Sequence, residues 1–238
     1  FQAREAINVL RGNIQLSGAN LKVIAVTSAV ANEGKSSIAF RLTKSLAGLK
    51  KRTLYLDCDI RNSVTMSRYG MSGQVQGLTE YLCGAAAMND IVYRTPDKYM
   101  DVILTGAVAP NPSELVSGKL FTLLLDEMRK RYDYIIVDTP PINPVIDGTM
   151  IAKRCDGTVM VIESGQTDRM QAVRAKRQLE YAGIKLLGAV LNKVGAAKKG
   201  YGYGYGYGYG YGYGYGYGYG EKNQKRSGKK AGKKEAKD

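Results

Sequence analysis

Residues 21–37 read LKVIAVTSAVANEGKSS, and their order decides the fold. Leu21 to Ser28 is a short apolar, β-branched run, the composition of a strand buried on both faces. Ala29 to Gly34 is small and polar, and from Lys35 a helical pattern runs to about Leu49. Strand, tight turn and helix, with Gly34, Lys35 and Ser36 at the helix start, have the spacing G-x-x-x-x-G-K-[ST] of a phosphate loop. Ala29 stands at the first glycine position, where a small residue is the main requirement. Such a loop wraps backbone N–H groups around a phosphate at a helix N-terminus. The candidate nucleotide contacts are Ala31, Asn32, Glu33, Gly34, Lys35, Ser36 and Ser37. Lys35 supplies a point charge for the terminal phosphates, and the Ser36 hydroxyl is offered to Mg²⁺.

Working outward, RTLYLDCD (52–59), YMDVILTG (99–106), YDYIIVDTPP (132–141), DGTVMVIES (156–164) and IKLLGAVLNKV (184–194) read as further strands. Helical patterns lie between them: 77–84, NPSELV at 111–116 leading into FTLLLDEMRKRY with Ser113 as its cap, IDGTMIAKRC, and RMQAVRAKRQLEYAG closed by Gly183. An amphipathic helix opens the chain at residues 4–17, with Ala6, Val9, Leu10, Ile14 and Leu16 on its apolar side. Alternation of continuously apolar strands with helices predicts an α/β fold, a mostly parallel sheet with helices on both faces, and the phosphate loop makes it of the P-loop nucleotide hydrolase kind. Ligands in such sheets lie beyond the carboxyl ends of the strands, where the polar signals collect. Asp57 and Asp59 lie two apart at one strand end, on one side of an extended segment, so they can share a cation. Ile135 to Asp138 is an apolar strand delivering one Asp toward Mg²⁺. Asn192 stands after the last strand.

The chain has 238 residues, 44% of them hydrophobic, enough for a sizeable core. It has no His, which excludes Ser-His-Asp and Cys-His catalysis and most transition-metal chemistry. Cys58, Cys83 and Cys155 form no CxxC and fit a reducing compartment rather than a disulfide framework. No apolar run reaches the roughly 18 residues of a membrane span, and the N-terminus shows no signal pattern. The first residue is not Met, as expected of a trimmed or excised segment. The net charge of +14 raises nucleic acid or membrane as partners, but no aromatic–basic interleaving or recognition motif supports nucleic acid.

The C-terminus differs in kind. Residues 201–220 are ten Tyr-Gly pairs, holding ten of the 18 tyrosines, and 221–238 are Lys-rich. Without apolar periodicity this stretch is expected to be a disordered tail. The predicted organisation is a P-loop domain over 1–199 that begins with a helix over 1–18, then a Tyr-Gly repeat over 200–220 and a basic tail over 221–238. Glycine at every second position keeps the repeat flexible, able to present any tyrosine to another molecule's site or to self-associate through aromatic contacts.

Ala-x4-GKS, the DxDxR sequence (Asp57, Asp59, Arg61), the DTPP after an apolar strand (Asp138 to Pro141), NPSEL (Asn111 to Leu115) and the C-terminal tyrosine cluster together resemble the bacterial tyrosine kinases, in particular the cytoplasmic kinases of capsular and exopolysaccharide synthesis. The resemblance implies an ATP- and Mg²⁺-dependent kinase. Lys35, Asp57 and Arg61 would be catalytic, with Lys35 on the ATP phosphates and Asp57 taking the hydrogen bond of an incoming tyrosine. Ser36, Asp59 and Asp138 would hold Mg²⁺ and its waters, and Asn192 would contact the adenine. It implies autophosphorylation in trans at Tyr201, Tyr203, Tyr205, Tyr207, Tyr209, Tyr211, Tyr213, Tyr215, Tyr217 and Tyr219. It further implies a ring-like homo-oligomer, by resemblance an octamer, built through an E-x-x-R-x-x-R helix, which gives the helix over 1–18 an oligomerisation role. Here Glu5, Asn8 and Arg11 occupy those places, so the first Arg is replaced by Asn. A transmembrane polysaccharide-chain-length adaptor as activator, a cognate tyrosine phosphatase, and a cytoplasmic location at the inner face of the plasma membrane complete the expectation. Two rivals stand beside it. A ParA/MinD-like ATPase carries an additional Lys five places before the loop Lys, where this chain has Val30. A nucleotide-gated scaffold would bind ATP and use the tail for adhesion.

Overall fold

Residues 2–61, 75–143 and 145–195 are described by the computed structural model. The chain divides into two units, Phe1–Lys198 and Lys199–Asp238, and the described residues belong to the first. The Tyr-Gly repeat and the basic tail lie outside the described residues.

Helix α1 (Gln2–Leu16) precedes strand β1 (Val23–Ser28), helix α2 (Lys35–Ala47) and strand β2 (Thr53–Asp57). Then come α3 (Leu78–Leu82), a 3-10 turn (Met88–Ile91), β3 (Tyr93–Arg94), β4 (Met100–Ile103), α4 (Pro112–Ser117) and α5 (Lys119–Arg131). The remainder is β5 (Tyr134–Asp138), α6 (Asp147–Ala152), β6 (Gly157–Glu163), α7 (Arg169–Tyr181) and β7 (Leu186–Asn192). The seven strands form one sheet in the order β3-β4-β2-β5-β1-β6-β7. All neighbours pair in parallel except β3, which runs antiparallel to β4 at the edge.

Alternate strand residues face opposite layers. Ile24, Val26, Tyr55 and Ile136 pack with Leu42 and Leu46 of α2 and with Ile7 and Ile14 of α1. Leu54, Leu56, Ile135 and Val137 pack with Leu78, Val116, Phe121 and Leu124 on the other face. Ala25 and Met160 meet Ala175 and Leu179 of α7. The connection from β1 runs through α2 to β2 on one side, and that from its neighbour β5 runs through α6 to β6 on the other, which makes the ends of β1 and β5 a topological switch point. Register places Asp57 directly opposite Asp138, and Val26 of β1 opposite Asp138. The two carboxylates therefore emerge at one level beside the loop after β1.

The structure corrects the sequence reading at three places. The buried side of α1 is Ile7 and Ile14, two turns apart, whereas Val9 and Leu16 are 55% and 88% exposed. Asn111, not Ser113, occupies the N-cap of α4, with Pro112 preset for the first helical position. Strand β3 has two residues, too few to show a period.

A half-buried clamp fixes the start of β1. The Asp156 carboxylate accepts the Lys22 and Val23 amides at 2.8 and 2.7 Å and both ends of the Arg129 fork at 2.9 and 2.8 Å. Burial raises the Asp156 carboxyl, but Arg129 and the two amides outweigh it and hold the group below its ordinary value. The ionised form thus contributes stability above an ordinary Asp pKa of about 3.9, and the contribution is lost as pH falls through the lower folded value. Asp156→Ala is expected to lower the unfolding free energy at pH 7 by about 3 kcal/mol. In urea titrations its deficit relative to wild type should shrink below pH 4 or so; a deficit constant with pH would show that packing, not charge, carries the clamp.

Candidate active site

The loop after β1 is held from beneath. Glu33 is 1% exposed, and its Oε2 accepts the Val30 amide at 2.8 Å. Its Oε1 meets the Thr167 hydroxyl and, at 3.4 Å, the Glu163 amide. The Glu33 side chain is thus internal bracing, which leaves its backbone as the part of this residue offered to a phosphate. From the far edge Asn192 Nδ2 donates to the Glu33 carbonyl at 2.9 Å and Lys193 Nζ to that of Asn32 at 2.8 Å. Asn192 therefore braces the loop; Asn32 turns through φ 67°, a left-handed conformation that Asn tolerates. Gly34 caps α2 at φ 92°, and a Cβ placed on it would lie 2.2 Å from Asn192 Nδ2. The first turn of α2, whose amides have no intrahelical acceptors, opens into a cleft of ≈ 620 Å³ bordered by Asn32, Lys35, Ser36, Asp59 and Arg61. A larger groove of ≈ 820 Å³ between α1 and α2 is basic, with Arg4, Arg11, Arg41 and Lys44, but contains neither the loop nor the carboxylates.

The charges of the cleft meet around Lys35. Its Nζ lies 2.7 Å from Asp59 Oδ2, 3.8 Å from Asp138 Oδ1 and 3.5 Å from Ser36 Oγ. Burial works against the ammonium, but Asp138 and Asp59 more than compensate and raise its pKa. Asp57 is fully buried and accepts the Asp59 amide at 3.1 Å, which folds the DxD segment back on the strand end. Burial, with help from Asp57, pushes Asp138 up to about 7 against the pull of Lys35 and the Tyr55 hydroxyl, which donates to Oδ2 at 3.0 Å. Tyr55 is itself fixed edge-on against Phe40, ring centroids 5.5 Å apart.

Asp138 Oδ1 is buried without a hydrogen-bond partner. Three carboxylates against one ammonium, with one orphaned oxygen, fit a hydrated divalent cation. Among the described residues no three His, Cys, Asp or Glu side chains are placed to hold a metal by themselves. That suits Mg²⁺, which keeps waters and substrate phosphates as ligands beside one or two carboxylates.

The structure thus brings Lys35, Ser36, Asp57, Asp59 and Asp138 to one place. Arg61 borders the same cleft, but its partners are Asp147 at 2.5 Å and Ser113 at 3.3 Å, not the acidic pair. Tyr55, Asp147 and Ser113 escape the sequence reading of the site. Of the α1 residues, Arg11 donates to the Ser45 carbonyl and hydroxyl at 3.0 and 2.8 Å, and Ser45 to Asn8 at 3.0 Å, so both are engaged within the chain while Glu5 is exposed. No described helix is long and apolar enough to cross a membrane.

A family model described as an AAA domain matches residues 21–168. The tyrosine-protein kinase CpsD of Streptococcus agalactiae is 40% identical over 201 residues, covering 84% of this chain and 88% of its own. The kinase domain of the Escherichia coli tyrosine kinase ETK superposes with a TM-score of 0.77 at 30% identity, over 85% of this chain and 80% of that one. The cell division ATPase MinD of Pyrococcus furiosus shares the fold, with a TM-score of 0.63 at 20% identity over 74% and 73% of the two chains.

Proposed function

The chain belongs to the bacterial tyrosine kinases and is a nucleotide-binding protein-tyrosine kinase, and from that premise we propose that its acceptor is its own C-terminal tyrosine cluster, presented in trans. The observation that supports this reading is the meeting of Lys35, Asp57, Asp59 and Asp138 in one cleft on a chain carrying ten Tyr-Gly pairs. Lys35 turns from the carboxylates onto the terminal phosphates of ATP. Ser36, Asp59 and Asp138 would hold Mg²⁺ and its waters. The ion would neutralise phosphate charge and orient the terminal phosphoryl group.

The tyrosine oxygen attacks the γ-phosphorus, the bond from that phosphorus to the bridging oxygen breaks, and ADP leaves with the electron pair. The phenol, with an ordinary pKa of about 10, gives its proton to Asp57 late in the transfer. A tail held in its own site would block nucleotide exchange, whereas an oligomer presents each tail to a neighbour. By family we assign a ring-like homo-oligomer, a transmembrane polysaccharide-chain-length adaptor as activator, a cognate phosphatase, and a place at the cytoplasmic face of the membrane, where the kinase regulates capsular or exopolysaccharide polymerisation and export.

Incubation with Mg-ATP followed by mass spectrometry should find phosphotyrosine within Tyr201–Tyr219. Asp57→Asn should lower its rate of formation about 10²- to 10⁴-fold. ATP hydrolysis without phosphotyrosine would instead identify a MinD-like ATPase or a nucleotide-gated scaffold.

A further inference from the structure

We propose that Asp147 and Ser113 are positioning residues of phosphotransfer, locking the Arg61 guanidinium at the mouth of the cleft so that its outer edge meets the phosphoryl group on the acceptor side. The proposal rests on the kinase reading of the same cleft.

Arg61 lies two residues beyond Asp59, and its side chain is 41% exposed. An arginine so placed samples many rotamers unless something fixes it. Here Nε donates to Asp147 Oδ2 at 2.5 Å, and Nη2 reaches Asp147 Oδ1 at 3.5 Å and Ser113 Oγ at 3.3 Å. The Ser113 hydroxyl closes the triangle by donating to Asp147 Oδ1. These contacts use one edge of the guanidinium, and Nη1 carries none of them. Two parallel donors on one carboxylate fix the plane of the fork as well as its distance, which a lysine cannot reproduce.

The anchor is rigid where the arginine is not. The Asp147 side chain is 2% exposed. A carboxylate so buried is costly without a cation, and Arg61 is its partner among the described residues. Asp147 opens α6, and Gly148 follows it so tightly that a Cβ there would lie 2.5 Å from the Pro140 carbonyl. The loop after Asp138 is tied in turn to the start of the phosphate loop, Ile142 and Asn143 donating their amides to the Ser28 and Ala29 carbonyls at 2.9 and 3.2 Å. Arg61 is thereby held in register with the loop that leads to Lys35 and with the strand end that carries Asp138. Arg61 lines the cleft, and the phosphate loop, not this arginine, carries ATP affinity. A misplacement of about 1 Å in such a group costs up to roughly 10²-fold in rate.

The test is steady-state transfer to a synthetic Tyr-Gly peptide, with ADP affinity and melting temperature measured on the same full-length preparations. Asp147→Asn should lower kcat about 30-fold while KM for ATP and the ADP affinity stay within about twofold. Ser113→Ala should lower kcat by less, in the same pattern. Combined with Arg61→Ala, either variant should add nothing to the loss from Arg61→Ala alone. A lowered melting temperature with unchanged kcat, or losses that multiply with Arg61→Ala, would overturn the proposal and leave a structural staple between α4, α6 and the end of β2. If Asp147→Asn does not fold, the cycle of Ser113→Ala with Arg61→Ala decides by the same criterion. A wild-type chain that hydrolyses ATP without forming phosphotyrosine overturns the kinase reading and this proposal together, whereas wild-type transfer with multiplying losses overturns this one alone.

Discussion

Lys35→Met is expected to suppress phosphotyrosine formation by about 10³-fold in kcat/KM while leaving a folded protein. The rate follows from position. Lys35 supplies the ammonium among three carboxylates, 2.7 Å from Asp59 and 3.8 Å from Asp138, and methionine keeps much of its stem without the charge. With no cation there, a polyanionic substrate meets acids without a counter-charge from the loop. Folding survives because the site has a titratable reserve. Asp138, already pushed up to about 7 by its burial, rises further when Lys35 is gone and takes a proton. The sign of the pH effect follows. A carboxyl whose folded pKa exceeds its ordinary value of about 3.9 binds its proton more tightly in the folded state. Its contribution to stability is full below the ordinary value and fades as pH rises through the folded one. In wild type that fading ends near pH 7; in Lys35→Met it should continue to higher pH. Urea unfolding at pH 6 and pH 9 reads it directly: a variant whose stability relative to wild type is the same at both would show that Lys35 does not hold Asp138 down.

The sequence discloses this site unevenly, and the unevenness has a physical cause. The phosphate loop is legible because strand, turn and helix succeed one another within 17 residues and each has local chemistry. Asp57 and Asp138 are legible because apolar strands end on them. Arg61 with Asp147 and Ser113 is not, since the partners lie 86 and 52 residues away and meet only once the sheet has formed. Tyr55 reads as one more apolar strand residue; that its hydroxyl reaches Asp138 follows from β2 pairing with β5. Glu33 reads as one more position of the phosphate loop; that its side chain is enclosed by Val30, Thr167 and Glu163 follows from contacts up to 134 residues away. On α1 the helical period is right and Leu10 and Ile14 are found, but Ile7 is missed and Val9 and Leu16 are added, because by sequence all of them look equally apolar. Local pattern finds elements and strand-end chemistry; long-range hydrogen bonds that orient a side chain leave no trace in it.

Gly34→Ala separates two such long-range constraints and should weaken ATP binding about 10²-fold. Gly34 stands at φ 92°, where an L side chain costs about 1–2 kcal/mol, and its added Cβ would lie 2.2 Å from Asn192 Nδ2. The strain belongs to the backbone and cannot be relieved from outside. The collision is with the end of an Asn side chain, which can move only by giving up its 2.9 Å bond to the Glu33 carbonyl. The two costs therefore come apart in a double variant. Asn192→Ala alone removes one brace and should weaken ATP binding about threefold to tenfold, in line with one lost hydrogen bond. Added to Gly34→Ala it removes the collision, so the pair should bind ATP about threefold more tightly than Gly34→Ala alone, roughly 30-fold below wild type and more weakly than Asn192→Ala. Titration calorimetry of the three variants gives the answer. Affinity restored to the level of Asn192→Ala would mean that the glycine is needed only to make room. No recovery at all would mean that the left-handed turn itself shapes the cradle for the phosphates, and that Asn192 is a brace the loop can lose.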